Sequence, residues 1–345
     1  MTTRAFLFAA VCALVLPGSA LATYNPSLIV ANTNHALGGR GPIVIGLGQG
    51  EQDDASAVAT IYAPLGYRVT LGQAPGTKLG ELSGDAKIGA LGGQHQQVSG
   101  TVKVDNPANY VNNTCAPGVH EAVWVLEFTV LGSQFRGPVY VDRVTSGPEA
   151  AYASARIQAC LSSPYVPPPQ GAPGGASLLA AAFSVAGVFT SPTTRGNHAW
   201  NGVFVPYTPG TATPNPGNAA QSTSIVRLPV SFALNVRRQK RGKRTFARVT
   251  ACVKEAGTGV RGIRVNFLGG RTLRAAKPMA RGRTNARGCA TVRIRVRPRA
   301  LVVLAATELP ARQAGGCRPT LAPRCSAPSV APAFDLFTRA RRVRR

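Results

Sequence analysis

From Ser56 onward the chain advances in short β-rich runs, AVATIYA, YRVTL, TVKVD, AVWVLEFTVL and PVYVDRV, broken by Gly, Pro and Asn. Almost nothing in it repeats apolar residues at a helical spacing. Alternate side chains of a strand point to opposite faces, so a chain patterned this way can bury its apolar surface only as sheets. Short strands with frequent turns predict an all-β fold, a sandwich or barrel. In AVWVLEFTVL, Trp124, Leu126, Phe128 and Val130 alternate with Val123, Val125, Glu127 and Thr129, and both faces are largely apolar. That places the run in a central strand, covered on both sides.

The first 22 residues, MTTRAFLFAAVCALVLPGSALA, set a basic Arg4 before an apolar run, a Pro17-Gly18 break and an Ala20-Leu21-Ala22 end. This is the layout of a cleaved secretory signal peptide. Cleavage leaves enough chain for two or three domains. No later stretch reaches the roughly 18 to 20 apolar residues of a membrane span, so no transmembrane segment is expected after cleavage. The mature cysteines, Cys115, Cys160, Cys252, Cys289, Cys317 and Cys325, are even in number, which in an exported chain reads as disulfides. Proximity favours Cys115 with Cys160, Cys252 with Cys289, and Cys317 with Cys325. No CxxC or Cys-His cluster offers zinc a ligand set.

Composition shifts mark the organisation. Residues 23–233 are β-rich, with a Pro-rich linker or loop at 162–176; the strands after it are expected to complete the first sandwich, because some 60 residues alone would make a marginal core. Between 234 and 309 the alternation is clean. Ala247, Val249, Ala251 and Val253 form one apolar face, Ile263, Val265 and Phe267 another, and Ala290, Val292, Ile294 and Val296 a third. Cys252 and Cys289 both fall on wet faces, as a staple across two neighbouring outer strands would require. After Pro310, residues 310–345 are Pro-, Ala- and Arg-rich and are expected to be a disordered basic tail.

The stretch VTACVKEAGTGVRGIRVNFLGG, with GRTNARGCATVRIRV and LVVLAATE after it, resembles a bacterial immunoglobulin-like module of the invasin/intimin type. Val253, Val260, Gly262, Val265 and Phe267 match the first half of that family's pattern, Thr284, Gly288, Ala290 and Val292 the second, and Ala306 its close. The Gly257-Thr258-Gly259 turn is one residue short and lacks the usual proline. The resemblance covers about residues 234–309 and implies a small β-sandwich acting as a spacer or adhesive unit on an exported bacterial protein.

A search for chemistry returns little. His35, His95, His120 and His198 stand at no metal-ligand spacing. Glu51, Asp53 and Asp54 could bind calcium or act as paired carboxylates, but read more simply as a solvated loop. Trp124 belongs to a core strand; Trp200, in RGNHAWNG, is the better candidate for stacking on a sugar. No catalytic residue and no cofactor is implied.

Charge is the strongest functional signal. Residues 234–345 hold 28 Lys and Arg against 3 Asp and Glu, nearly all of the chain's net +26. Arg237, Arg238, Lys240, Arg241, Lys243 and Arg244 form RRQKRGKR, and Arg293, Arg295 and Arg297 make a ladder on one strand face, which Arg248 and Arg264 could join. Clustered charge of one sign attracts polyanions. Export argues against genomic nucleic acid and points to an anionic cell-wall polymer or acidic glycan. The expectation is a secreted or cell-surface bacterial protein without enzymatic activity. The rival readings are a secreted hydrolase or carbohydrate-binding protein with its site in 23–233, and a self-associating surface subunit.

Overall fold

The computed structural model describes residues 24–130, 132–168, 171–242, 244–296, 301–313, 321, 324–325 and 330–343. The chain is all-β. Eleven strands build the first unit: β1 (Ser27–Asn32), β2 (Ile43–Gly48), β3 (Ser56–Pro64), β4 (Lys78–Ile88), β5 (Gln94–Asp105), β6 (Ala122–Val130), β7 (Ser133–Arg143), β8 (Ala153–Cys160), β9 (Ala176–Val185), β10 (Gly196–Pro206) and β11 (Ala220–Leu228). They form one antiparallel ladder in the order β1-β2-β9-β4-β5-β6-β7-β8-β3-β10-β11. The ladder curls until its ends meet. Ser222 and Ser224 of β11 accept hydrogen bonds through their Oγ atoms from the backbone N–H groups of Leu28 (2.9 Å) and Val30 (2.8 Å) of β1. Those hydroxyls satisfy edge donors that would otherwise be buried unpaired.

Inside the curl, Leu28, Ile45, Ile61, Val102, Trp124, Ile157, Trp200 and Phe204 share one buried core. β6 is covered on both faces, as its pattern predicts. Trp124 faces this core, while Val123 and Val125 pack outward with Ala116 and Tyr140 in a second small cluster. That cluster lies beside the Cys115–Cys160 disulfide. The strands after residue 176 do complete the first unit: β9 inserts between β2 and β4, and β10 pairs with both β3 and β11. The described residues between β8 and β9, 161–168 and 171–175, therefore connect two strands of one sheet rather than two domains.

Among the described residues, eight strands of three or more residues build a smaller unit: β12 (Val230–Arg241), β13 (Arg244–Glu255), β14 (Arg264–Gly270), β15 (Lys277–Arg283), β16 (Cys289–Val296), β17 (Leu301–Leu309), β18 (Phe334–Phe337) and β19 (Arg341–Val343). One sheet runs β12-β13-β16; the other runs β15-β14-β17, with β18 and β19 on the far edge of β17. Ala247, Val249 and Ile294 of the first sheet meet Val265, Phe267, Val303 and Ala305 of the second in a shared core, the layout of a β-sandwich. Two polar or small residues of the sequence pattern find their reasons here. Thr284 is buried, its Oγ1 accepting from Ile263 N–H (2.9 Å) and donating to the Val260 carbonyl (2.6 Å). Gly288 has φ +75°, and a Cβ there would stand 2.3 Å from the Val253 carbonyl oxygen.

The disorder expected over 310–345 does not hold for the described part of that segment. Phe334–Phe337 and Arg341–Val343 pair with β17, and Val343 enters the sandwich core. Residues 312–313 and 330–331 pair with each other, and 324–325 and 330 lie along β11 of the first unit. A few apolar residues at strand spacing suffice to dock an otherwise polar tail on edges left open. No helix among the described residues is long and apolar enough to cross a membrane.

Candidate functional site

The sheet of β12, β13 and β16 turns one face to the core and the other to solvent, and register decides which basic residues meet. Across β12, β13 and β16, Arg237 lies opposite Arg248 and Arg248 opposite Arg293. The next row on the same face is Gln239, Phe246 and Arg295. Beyond the arginine row in the other direction come Asn235, Thr250 and Thr291, then Ala233, Cys252 and Cys289. Adjacent strands are about 4.8 Å apart and alternate residues of one strand about 6.8 Å apart. Four guanidinium side chains thus stem from a patch two rows deep. All four are exposed.

Like charges directly opposite one another destabilise a sheet. Local contacts offset part of this: the Arg293 guanidinium lies over the Phe246 ring at 5.5 Å and donates to Gln239 Oε1 at 3.3 Å. The Thr250 and Thr291 hydroxyls are 2.9 Å apart in the neighbouring row. None of Arg237, Arg248, Arg293 and Arg295 makes an ion pair with a described residue. The Cys252–Cys289 disulfide ties β13 to β16 on this face, its Cα atoms 4.0 Å apart. The face is therefore stapled across two of its strands, cationic, and free of acidic side chains among its described residues.

Alternation divides the hexabasic run. Arg237 belongs to the arginine row, whereas Arg238, opposite buried Ala247, and Lys240 point the other way. Arg238 borders a cleft with Arg341 and Arg342 at the sandwich edge. Arg241 pairs in register with Arg244 at the β12–β13 hairpin. Arg248 joins the row, but Arg264 does not: it sits on the opposite sheet, across from Arg283. Lys243, Arg297 and Cys317 lie outside the described residues. Cys325 is disulfide-bonded. Phe246 and Gln239, which hold Arg293, carry no signal in the sequence until register is known.

Other candidates resolve differently. Trp200 is wholly buried, edge-on to Tyr67 (5.1 Å) and Phe189 (5.4 Å), so it cannot stack on a sugar at the surface. Its position on an inward parity of β10 overrides its polar neighbours. Asp53 Oδ2 accepts from the backbone N–H of Asn25 (3.0 Å) and Gly50 (2.8 Å), closing its own loop. His95 bridges Glu51 and Asp85, 3.1 Å from each, at an exposed position. Hydrogen bonds to those carboxylates raise the His95 pKa and lower that of Glu51. No group of three or more His, Cys, Asp or Glu among the described residues is placed to hold a metal ion. The sequence matches no protein-family model, and no curated protein is significantly similar to it.

Proposed function

We propose that this is an exported, non-enzymatic protein of the bacterial envelope or extracellular space that holds anionic polymers on the outer face of an immunoglobulin-like module. An acidic glycan or an anionic cell-wall polymer fits equally, since both present repeated anions. The observation that carries the reading is the in-register row Arg237, Arg248 and Arg293, three cations side by side with no acidic partner among the described residues. An anionic chain laid across the row would relieve the mutual repulsion and release its own counterions, which makes attraction strongest at low salt.

Retention of the full chain on anionic polymer beads and on bacterial cells tests this directly. Binding at low salt, release at several hundred millimolar salt, and a reduced salt slope in Arg248→Glu are the expected results. Retention that is indifferent to salt, or unchanged in Arg248→Glu, would overturn the proposal.

A further inference from the structure

A second feature lies in the first unit, far from the basic face in sequence and chemistry. An apolar cavity of about 150 Å³ sits at one end of the curled ladder, beneath Ser162, Pro164 and Ala172 of the segment before β9. Leu82, Leu126, Phe128 and Phe135 provide its larger walls, and the Phe128 and Phe135 rings are stacked at 5.4 Å with 14° between their planes. The space exists because strand positions that face it carry very small side chains, Ala159 and Ala176 among them. A curl of eleven strands encloses more volume than small residues can fill.

The roof is built, not loosely laid. Ala172 N–H donates to the Ser163 carbonyl at 2.6 Å, and the Ser163 hydroxyl donates to the Thr211 carbonyl at 2.8 Å. Gly171 is required where the loop doubles back, since a Cβ there would meet the Val166 carbonyl oxygen at 1.6 Å. Exposed Arg136 and Ser162 in the lining mark where the cavity reaches solvent.

The lining also states what cannot bind. None of the buried polar atoms that lack a partner belongs to a cavity residue. The Ser56 hydroxyl already engages Gln49 and Tyr24, and the Arg136 guanidinium already engages Asp105 and Glu127. The Ser162 and Ser177 hydroxyls are the polar side-chain groups left in the lining, so a polar ligand would lose more hydrogen bonds to water than it regains here. An apolar cavity of about this volume has room for a single benzene-sized ring. We propose that the cavity is a binding site for a neutral, flat hydrocarbon or aromatic group the size of one ring, seated against the Phe128 and Phe135 pair. It shares no residue with the basic face, so the two proposals stand or fall separately.

Calorimetric titration of the full chain with toluene, and with phenol for comparison, at low and at high salt tests the site. Saturable one-to-one toluene binding, insensitive to salt, is expected, with phenol about tenfold weaker because its hydroxyl goes unpartnered. Ala159→Leu, which fills the void, should weaken toluene by about tenfold or more while leaving the melting temperature unchanged or higher. Ala176→Phe fills it from another wall should the first variant fail to fold. Absence of saturable heat with the natural chain, phenol binding as tightly as toluene, or undiminished affinity in a folded, filled variant would each overturn the proposal.

Discussion

Asp142 shows how much one side chain can organise. It accepts hydrogen bonds from His120 Nδ1 (3.0 Å), from Arg156 Nη2 (3.0 Å) and from the Glu121 backbone N–H (3.1 Å), and His120 Nε2 faces the Ala116 carbonyl at 2.9 Å. Burial pushes the carboxyl's pKa up, but these donors outweigh it and hold the pKa below its ordinary value. A carboxylate with a lowered folded pKa contributes stability in full above its unfolded value of about 3.9, and that stability fades as pH falls through the lower folded value. Urea denaturation should show Asp142→Asn destabilised by about 1–3 kcal/mol at neutral pH, and the variant should lose less stability than the natural chain on acidification. Neither His120 nor Asp142 is marked in the sequence, because their meeting, 22 residues apart, depends on the pairing of β6 with β7. Trp200 makes the same point in reverse: its polar neighbours suggest a surface, and contacts with Tyr67 and Phe189 from distant segments bury it.

At the scale of single strands, parity is the dominant rule. It places Cys252 and Cys289 on wet faces from sequence alone, and the observed register sets them directly opposite. In the chain-entropy account, closing a loop with a sequence separation of 37 stabilises by about 4 kcal/mol. Cys252→Ser with Cys289→Ser should therefore lower the unfolding midpoint of the smaller unit markedly in chemical denaturation, and reductant should have no further effect on that bond's contribution in the double variant. The same rule splits RRQKRGKR, which reads as one basic block but distributes its side chains to two faces. Polyanion retention should therefore respond more to Arg237→Glu than to Lys240→Glu, measured as the salt concentration for release. Equal shifts would mean that net charge, not the organised face, governs binding.

Across the whole molecule the two units are joined by a small set of contacts. Glu255, one of only three acidic residues in the last 112, takes Arg227 of the first unit (3.0 Å) and Arg312 beyond the sandwich (3.1 Å) on the same oxygen. His35 of the first unit stacks on Phe334 of β18, centroids 4.3 Å apart, and its carbonyl accepts from Val230 N–H at 3.1 Å. Burial lowers the His35 pKa. A histidine held neutral in the fold stabilises above its unfolded pKa of about 6.5 and loses that contribution as pH falls below it. Thermal stability should therefore fall between about pH 7 and 5, and His35→Phe should flatten part of that dependence while keeping the stack; His198, also lowered by burial, retains a further part. A natural chain and His35→Phe variant with identical pH profiles would remove His35 from this role.

By itself the sequence determined the period of two, and with it the all-β class, the inner and outer face of each strand, the wet placement of one cysteine pair and the concentration of positive charge. The faces are local properties, set by the geometry of successive Cα–Cβ bonds, and the charge is composition. Only the tertiary structure decided which strands are neighbours: that β9 inserts between β2 and β4, that the end of the chain returns to β17 and β11, and that three arginines align in one row. Pairing partners are chosen by the fit of buried faces contributed from distant segments. That fit also leaves the small residues at one end of the curl around a cavity no local pattern announces.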